Sequence, residues 1–241
     1  MQIITSLFAV FVATLLMFQI SKMATTTKIL HNKIDYLNFQ VVYQTGLLVL
    51  AFILLFILYF LNPDNFEHFV SIGNISAPAK SVDWLGIGED ETWLSLGLSL
   101  SFFITFITAI FIYFQFKKEN INIKPVIPYL PWIILFSLTN SFAEEIIYRF
   151  GVIVPLYGNV DKDIILLISA ITFGLAHFKG MPNGIIGVLM SSLLGWLLAK
   201  SVIETGGYFW AWSIHFLQDI VIISALLLFA ITKKEKHEKY I

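Results

Sequence analysis

The sequence predicts an all-α protein, a polytopic membrane bundle of about seven transmembrane helices, or eight if its long fourth segment breaks near Gly151 or Pro155. Three observations predict it. Of the 241 residues 58% are hydrophobic and only 13% charged, with a mean hydropathy of +0.82, so the apolar surface exceeds what a soluble core can hide. The apolar residues fall in runs of the ~20 residues that a helix needs to cross a bilayer. Between the runs lie short stretches that hold nearly all of the lysines. A formal net charge of -1, with no basic or aromatic array, gives no case for nucleic acid as a partner. The absence of cysteine excludes disulfides, thiolate catalysis and Cys-ligated zinc.

The first run, residues 1 to 20, has no charge before Lys22 and lacks the basic start and short apolar core of a cleavable leader, so it reads as the first span. A lysine-bearing linker to about residue 38 precedes the second span, Val41 to Leu61. Residues 62 to 92 form the longest polar stretch and open on the turn signal Asn62-Pro63-Asp64-Asn65. It reads as a solvated loop, with Trp84 and Trp93 as interface anchors. The third span, Trp93 to about Phe116, stops at Lys117 and Lys118. The fourth begins after Pro125, Pro128 and Pro131 and runs to about Gly158; three shorter spans follow at Asp163 to Phe178, Pro182 to Ile203 and Tyr208 to Ile231. With the N-terminus outside and the C-terminus cytoplasmic, the inner linkers and tail carry Lys22, Lys28, Lys33, Lys117, Lys118, Lys124, Lys179 and the tail lysines, against Lys80, Lys162 and Lys200 outside. The positive-inside rule favours that orientation in the cell membrane.

Within this apolar frame the stretch Asn140-Ser-Phe-Ala-Glu-Glu-Ile-Ile-Tyr-Arg-Phe150 stands apart, because it places Glu144, Glu145 and Arg149 inside a span. A charge at bilayer depth costs between ~2.5 and ~17 kcal/mol, depending on how it is assessed, which makes intramembrane ionisable residues functional candidates. Arg149 is the only arginine in the chain. The fifth span ends in Phe173-Gly-Leu-Ala-His177 and the last contains His215-Phe-Leu-Gln-Asp219. Glu145 with Arg149, and His215 with Asp219, are each four apart and share a helix face. Glu144 is turned ~100° from Glu145, so one carboxylate can be neutralised by the arginine while the other faces a cavity.

This set suits hydrolysis. A carboxylate held away from bulk water can share a water molecule with a neighbouring imidazole as a general base, and a second histidine can face the developing oxyanion. Alternatively, Glu144, His177 and His215 could hold a zinc ion with an open position for water. There is no His-Glu-x-x-His.

Glu144-Glu145-x-x-x-Arg149, Phe173-x-x-x-His177 and His215-x-x-x-Asp219, in that order, resemble the three-motif signature of the CPBP family, the CAAX prenyl endopeptidases and bacterial bacteriocin-processing (Abi) proteins. The ordered set covers about residues 130 to 225 and is similar to the family's bacterial branch. The resemblance implies an intramembrane endopeptidase in which Glu144 and His177 activate water and His215 with Asp219 supports the oxyanion, while Glu145 and Arg149 give structural support. Metalloprotease and metal-independent glutamate protease mechanisms both stay open. The implied division is 1-125 for N-terminal helices and linkers, 126-231 for the catalytic core and 232-241 for a charged cytoplasmic tail.

The prenyl-protease branch usually has asparagine where this chain has Asp219. An ionised aspartate cannot donate to an oxyanion, so Asp219 must be protonated, act through His215 or bind something else. The expected substrate is therefore a small peptide or membrane-protein terminus rather than a prenylated one. A non-proteolytic membrane partner or immunity protein and a proton-coupled transporter are the alternatives from other classes.

Depth along the spans poses a problem. Counted from Pro131, Glu144 lies ~20 Å along its helix, whereas His177 sits at the end of its own. They can meet only if the fifth helix enters deeper or the fourth begins outside the bilayer.

Overall fold

The computed structural model describes residues 2–30, 34–116, 122–180 and 184–238, with only the backbone of residues 2, 116 and 233–238. His31, Lys33, Lys117, Lys118, Pro182 and Lys239 lie outside the described residues, and so does the side chain of His237.

The chain forms a helical bundle, with α1 (Gln2–Thr26), α2 (Asp35–Leu61), α3 (Pro63–Phe69) and α4 (Trp93–Phe116) in its first half. A 3-10 turn at Lys124–Tyr129 leads into α5 (Leu130–Glu145), a π-helical turn at Ile146–Phe150 and α6 (Gly151–Leu156). The chain then continues as α7 (Lys162–Ala176), α8 (Gly184–Thr205) and α9 (Phe209–Glu238). Among the described residues, six helical segments are long and apolar enough to cross a membrane: Ile3–Thr26, Asp35–Leu61, Trp93–Gln115, Lys124–Leu156, Gly184–Thr205 and Phe209–Thr232. The segment expected as a fifth span, α7, is 15 residues long. At 1.5 Å per residue it reaches ~22 Å, short of a ~30 Å hydrocarbon core. The last helix continues past Ile231 to Glu238, into the expected tail.

The fourth segment does not break at Gly151 or Pro155. Lys124–Leu156 runs on for 33 residues, and the irregularity falls earlier, in the π turn directly after Glu145. The wider turn shifts backbone carbonyls out of the regular ladder, and buried carbonyls need donors. Ser169 on α7 donates to the Tyr148 carbonyl at 2.8 Å and Ser6 on α1 to that of Gly151 at 2.9 Å. These two serines thereby fix α1 and α7 against the segment that carries the charges.

Small residues set the tightest helix contacts, as expected where lipid gives no hydrophobic drive to association. A Cβ on Gly174 would lie 1.9 Å from Ser192 Oγ on α8, and one on Gly97 would lie 2.3 Å from the Trp210 ring on α9.

Residues 62 to 92 are a folded cap rather than a solvated loop. Asn65 donates to the carbonyls of Val154 and Tyr157 at 2.9 Å, while Asn74 N reaches Thr205 O at 2.8 Å and Tyr208 N reaches Ser71 O at 2.9 Å. Gly73, at φ +77°, lies so close to Gly207 and Thr205 that any side chain would strike their backbone at about 2.7 Å. Trp93 is fully buried instead of sitting at an interface, with its Nε1 on Glu204 Oε2 at 2.9 Å, whereas Trp84 is exposed and lies beside Trp196. Glu204 also pairs with the buried Lys200, whose ammonium donates to the Lys80 carbonyl. The cap closes the end of the bundle where α6, α8 and α9 begin or end.

Two apolar clusters fill the interior. One, at the cap end, includes Leu47, Ala143, Ile146, Phe173 and Ile214; the other includes Leu37, Ile133, Phe136, Ile223 and Leu227. Between the clusters, α2 carries the polar Gln40 and Gln44, α5 carries Asn140 and α9 carries His215 and Asp219, with Glu144 next to Ala143 at the edge of the first cluster. A polar layer therefore lies between two apolar clusters.

Candidate active site

The polar layer collects the residues of all three sequence motifs. Glu145 uses one carboxylate oxygen for the Arg149 Nε at 3.0 Å and the other for His215 Nδ1 at 2.8 Å. The guanidinium is fully buried and stacks on Phe173, 4.1 Å from the ring centroid. The edge of Phe173 meets His215, and its ring centroid is 4.4 Å from that of His177. One phenyl ring thus spaces the cation from both imidazoles.

Glu144 turns the other way. Its Oε1 accepts from Asn140 Nδ2 at 3.2 Å, and its Oε2 is 3.7 Å from Nε2 of both His177 and His215. That spacing is too long for a direct hydrogen bond, and among the described residues the buried Oε2 has no hydrogen-bond partner. His177 bonds the Phe173 carbonyl through Nδ1 at 2.8 Å, which leaves Nε2 toward Glu144. Asp219 lies 3.7 Å from His215 Nε2 through Oδ1, and its Oδ2 accepts from Asn140 at 3.1 Å. All six expected site residues, Glu144, Glu145, Arg149, His177, His215 and Asp219, therefore come together.

The depth problem disappears when position is counted from the cap end. Glu144 precedes Leu156 by 12 residues and His177 follows Lys162 by 15, or ~18 Å and ~22 Å of helix. The fourth segment, at 33 residues, is longer than the ~20 that a crossing needs, so the count does not have to start at Pro131.

Zinc would need the donors of Glu144, His177 and His215 to converge ~2.0–2.2 Å from one point. Among the described residues no three His, Cys, Asp or Glu side chains are grouped so as to hold a metal ion. Each step proposed below is carried by the protein's own side chains.

Sequence reasoning missed the parts of the site made by amides. Asn140 opens the charged stretch, yet nothing in its position shows that it spans Glu144 and Asp219. The second span reads as generic, but Gln44 on α2 donates to Asn140 Oδ1 at 3.2 Å. Their spacing of four on a helix face was the available signal for Tyr36, Gln40 and Gln44.

A buried carboxylate between two imidazoles, inside a membrane bundle, defines a candidate intramembrane hydrolase. Residues 125–221 match the family model described as type II CAAX prenyl endopeptidase Rce1-like. The matched segment holds every motif residue named above, and in it the chain is similar to the CPBP/CAAX protease family. No curated protein and no solved structure matches the chain.

Proposed function

We propose that this protein is an intramembrane endopeptidase that hydrolyses a peptide bond in a small peptide or membrane-protein substrate. The observation that supports it most is Glu144 Oε2, a buried carboxylate oxygen without a hydrogen-bond partner, facing Nε2 of two histidines at 3.7 Å. A water lying off the line between Glu144 and His177, ~2.8 Å from each, satisfies both.

In the proposed reaction Glu144 takes a proton from this water as its oxygen bonds the scissile carbonyl carbon. His177 holds the water through Nε2. Negative charge grows on the carbonyl oxygen, where His215 faces it. With Nδ1–H given to Glu145, an imidazolium at His215 keeps a second N–H at Nε2 for the oxyanion. Asp219, beside that nitrogen, supplies the counter-charge and so acts through His215 rather than as a donor. Glu144 then passes its proton to the leaving nitrogen as the C–N bond breaks. Glu145 and Arg149 hold the His215 ring in place.

The division at residues 125 and 126, with the catalytic core at 126-231, accompanies this reading, amended by the contribution of α2 to the site. We place the N-terminus and the cap outside. The lysine asymmetry of the linkers favours that orientation.

The test uses purified protein in liposomes, offered peptides with a farnesylated C-terminal Cys-a-a-X sequence and unprenylated apolar peptides, with mass spectrometry of the products. Cleavage of the unprenylated set, unaffected by a zinc chelator, is the expected result. Cleavage confined to farnesylated peptides would overturn the substrate class. Activity that a chelator abolishes and zinc restores would overturn the metal-independent mechanism.

A further inference from the structure

The α2 helix carries a ladder of buried polar side chains that the hydrolytic scheme does not use. Gln40 donates to the Tyr36 hydroxyl at 2.8 Å, and Gln44 donates to Gln40 Oε1 at 3.0 Å. Gln44 also donates to Asn140 Oδ1 at 3.2 Å, while its own Oε1 accepts from the Thr139 hydroxyl at 3.2 Å. Gln40 and Gln44 are 6% and 4% exposed, between the two apolar clusters. Leaving such amides unpaired there would cost stability, so each fixes the orientation of the next.

The order of donors has a chemical consequence. Asn140 has two N–H groups, and the structure spends one on Glu144 Oε1 and the other on Asp219 Oδ2. It can do so only while its oxygen points away from the carboxylates, toward a donor. Gln44 supplies that donor. A flipped Asn140 would set its oxygen against two carboxylates and leave the Gln44 N–H without an acceptor.

We propose that Asn140, held in register by Gln44, is the positioning residue of this site. It fixes Glu144 so that Oε2 faces His177 and His215, and fixes Asp219 so that Oδ1 faces His215. It also keeps two like charges bridged by one neutral donor. The α2 helix is thereby part of the catalytic frame and not a lipid-facing span alone. This inference rests on the proteolytic reading for its kinetic test, but the hydrogen-bond coupling can be read without turnover.

The experiment measures kcat, KM and thermal midpoint for wild type, Asn140→Leu, Gln44→Met, the double variant and the rescue variant Asn140→Gln. Asn140→Leu should lower kcat about 30- to 100-fold with KM within about 3-fold, and Gln44→Met about 10-fold, since small misplacements of reacting groups cost about that much. The double variant should be no slower than Asn140→Leu, because the two act in series. Asn140→Gln should recover part of the loss. Unchanged kcat in Asn140→Leu, or independent losses that multiply in the double variant, would overturn the proposal. If wild type itself cleaves nothing, the protease reading fails, and the midpoints then decide: additive shifts from the two substitutions would overturn the coupling as well, while non-additive shifts would sustain it.

Discussion

Glu144→Gln should lower kcat by about 10³- to 10⁴-fold and leave the thermal midpoint equal to wild type or higher. The glutamine keeps the side chain's length and can still accept the Asn140 hydrogen bond through its oxygen. It cannot take a proton from water, and general-base catalysis of this kind is worth up to about 10⁴-fold. The stability side follows from the same atom. Glu144 is a carboxylate buried inside the bundle, and holding its charge away from bulk water costs the fold energy. Removing the charge relieves that cost, so activity and stability should move in opposite directions. Steady-state kinetics in liposomes and a thermal melt in detergent check the two halves separately. A large drop in the melting midpoint would mean that Glu144 is a packing residue.

Arg149→Met should destabilise the protein by about 3–5 kcal/mol, the usual cost of breaking a buried ion pair on one side only. Arg149 is fully buried, and its contacts are the Glu145 carboxylate at 3.0 Å and the face of Phe173. Without the guanidinium, the buried Glu145 carboxylate keeps only His215 as a partner. The double substitution Glu145→Met with Arg149→Met removes both charges and should recover most of the lost stability. Activity should not recover with it, because His215 Nδ1 would lose the carboxylate that orients its ring. Denaturant melts and kinetics on wild type, Arg149→Met and the double variant separate the support role from the chemistry. Recovery of activity in the double variant would contradict the assignment of Glu145 to His215.

The charged residues were legible because charge inside a bilayer is costly and therefore informative. Glu144, Glu145, Arg149, His177, His215 and Asp219 each break an apolar run, and the spacings of four already pair Glu145 with Arg149 and His215 with Asp219. The amides were not legible for the opposite reason. Gln and Asn in a span are cheap and commonly serve as interhelical glue, so Gln40, Gln44 and Asn140 carry little signal until their partners are known. The π turn at Ile146–Phe150 leaves no mark in hydrophobic periodicity, and the expected break at Gly151 or Pro155 followed residue type alone. Likewise, α7 looks like a span by composition; only its 15-residue length shows that it stops short. Trp93 was misplaced because an interfacial tryptophan and one buried under a folded cap look the same in sequence.

The most direct test of the central claim compares new peptide termini in membranes of cells expressing wild type or Glu144→Gln at equal levels. A set of termini should be present with wild type and missing with Glu144→Gln, and those termini would name the substrate. If both membranes carry the same termini while the protein is folded and its cellular phenotype survives the substitution, Glu144 activates no water and the endopeptidase reading is contradicted.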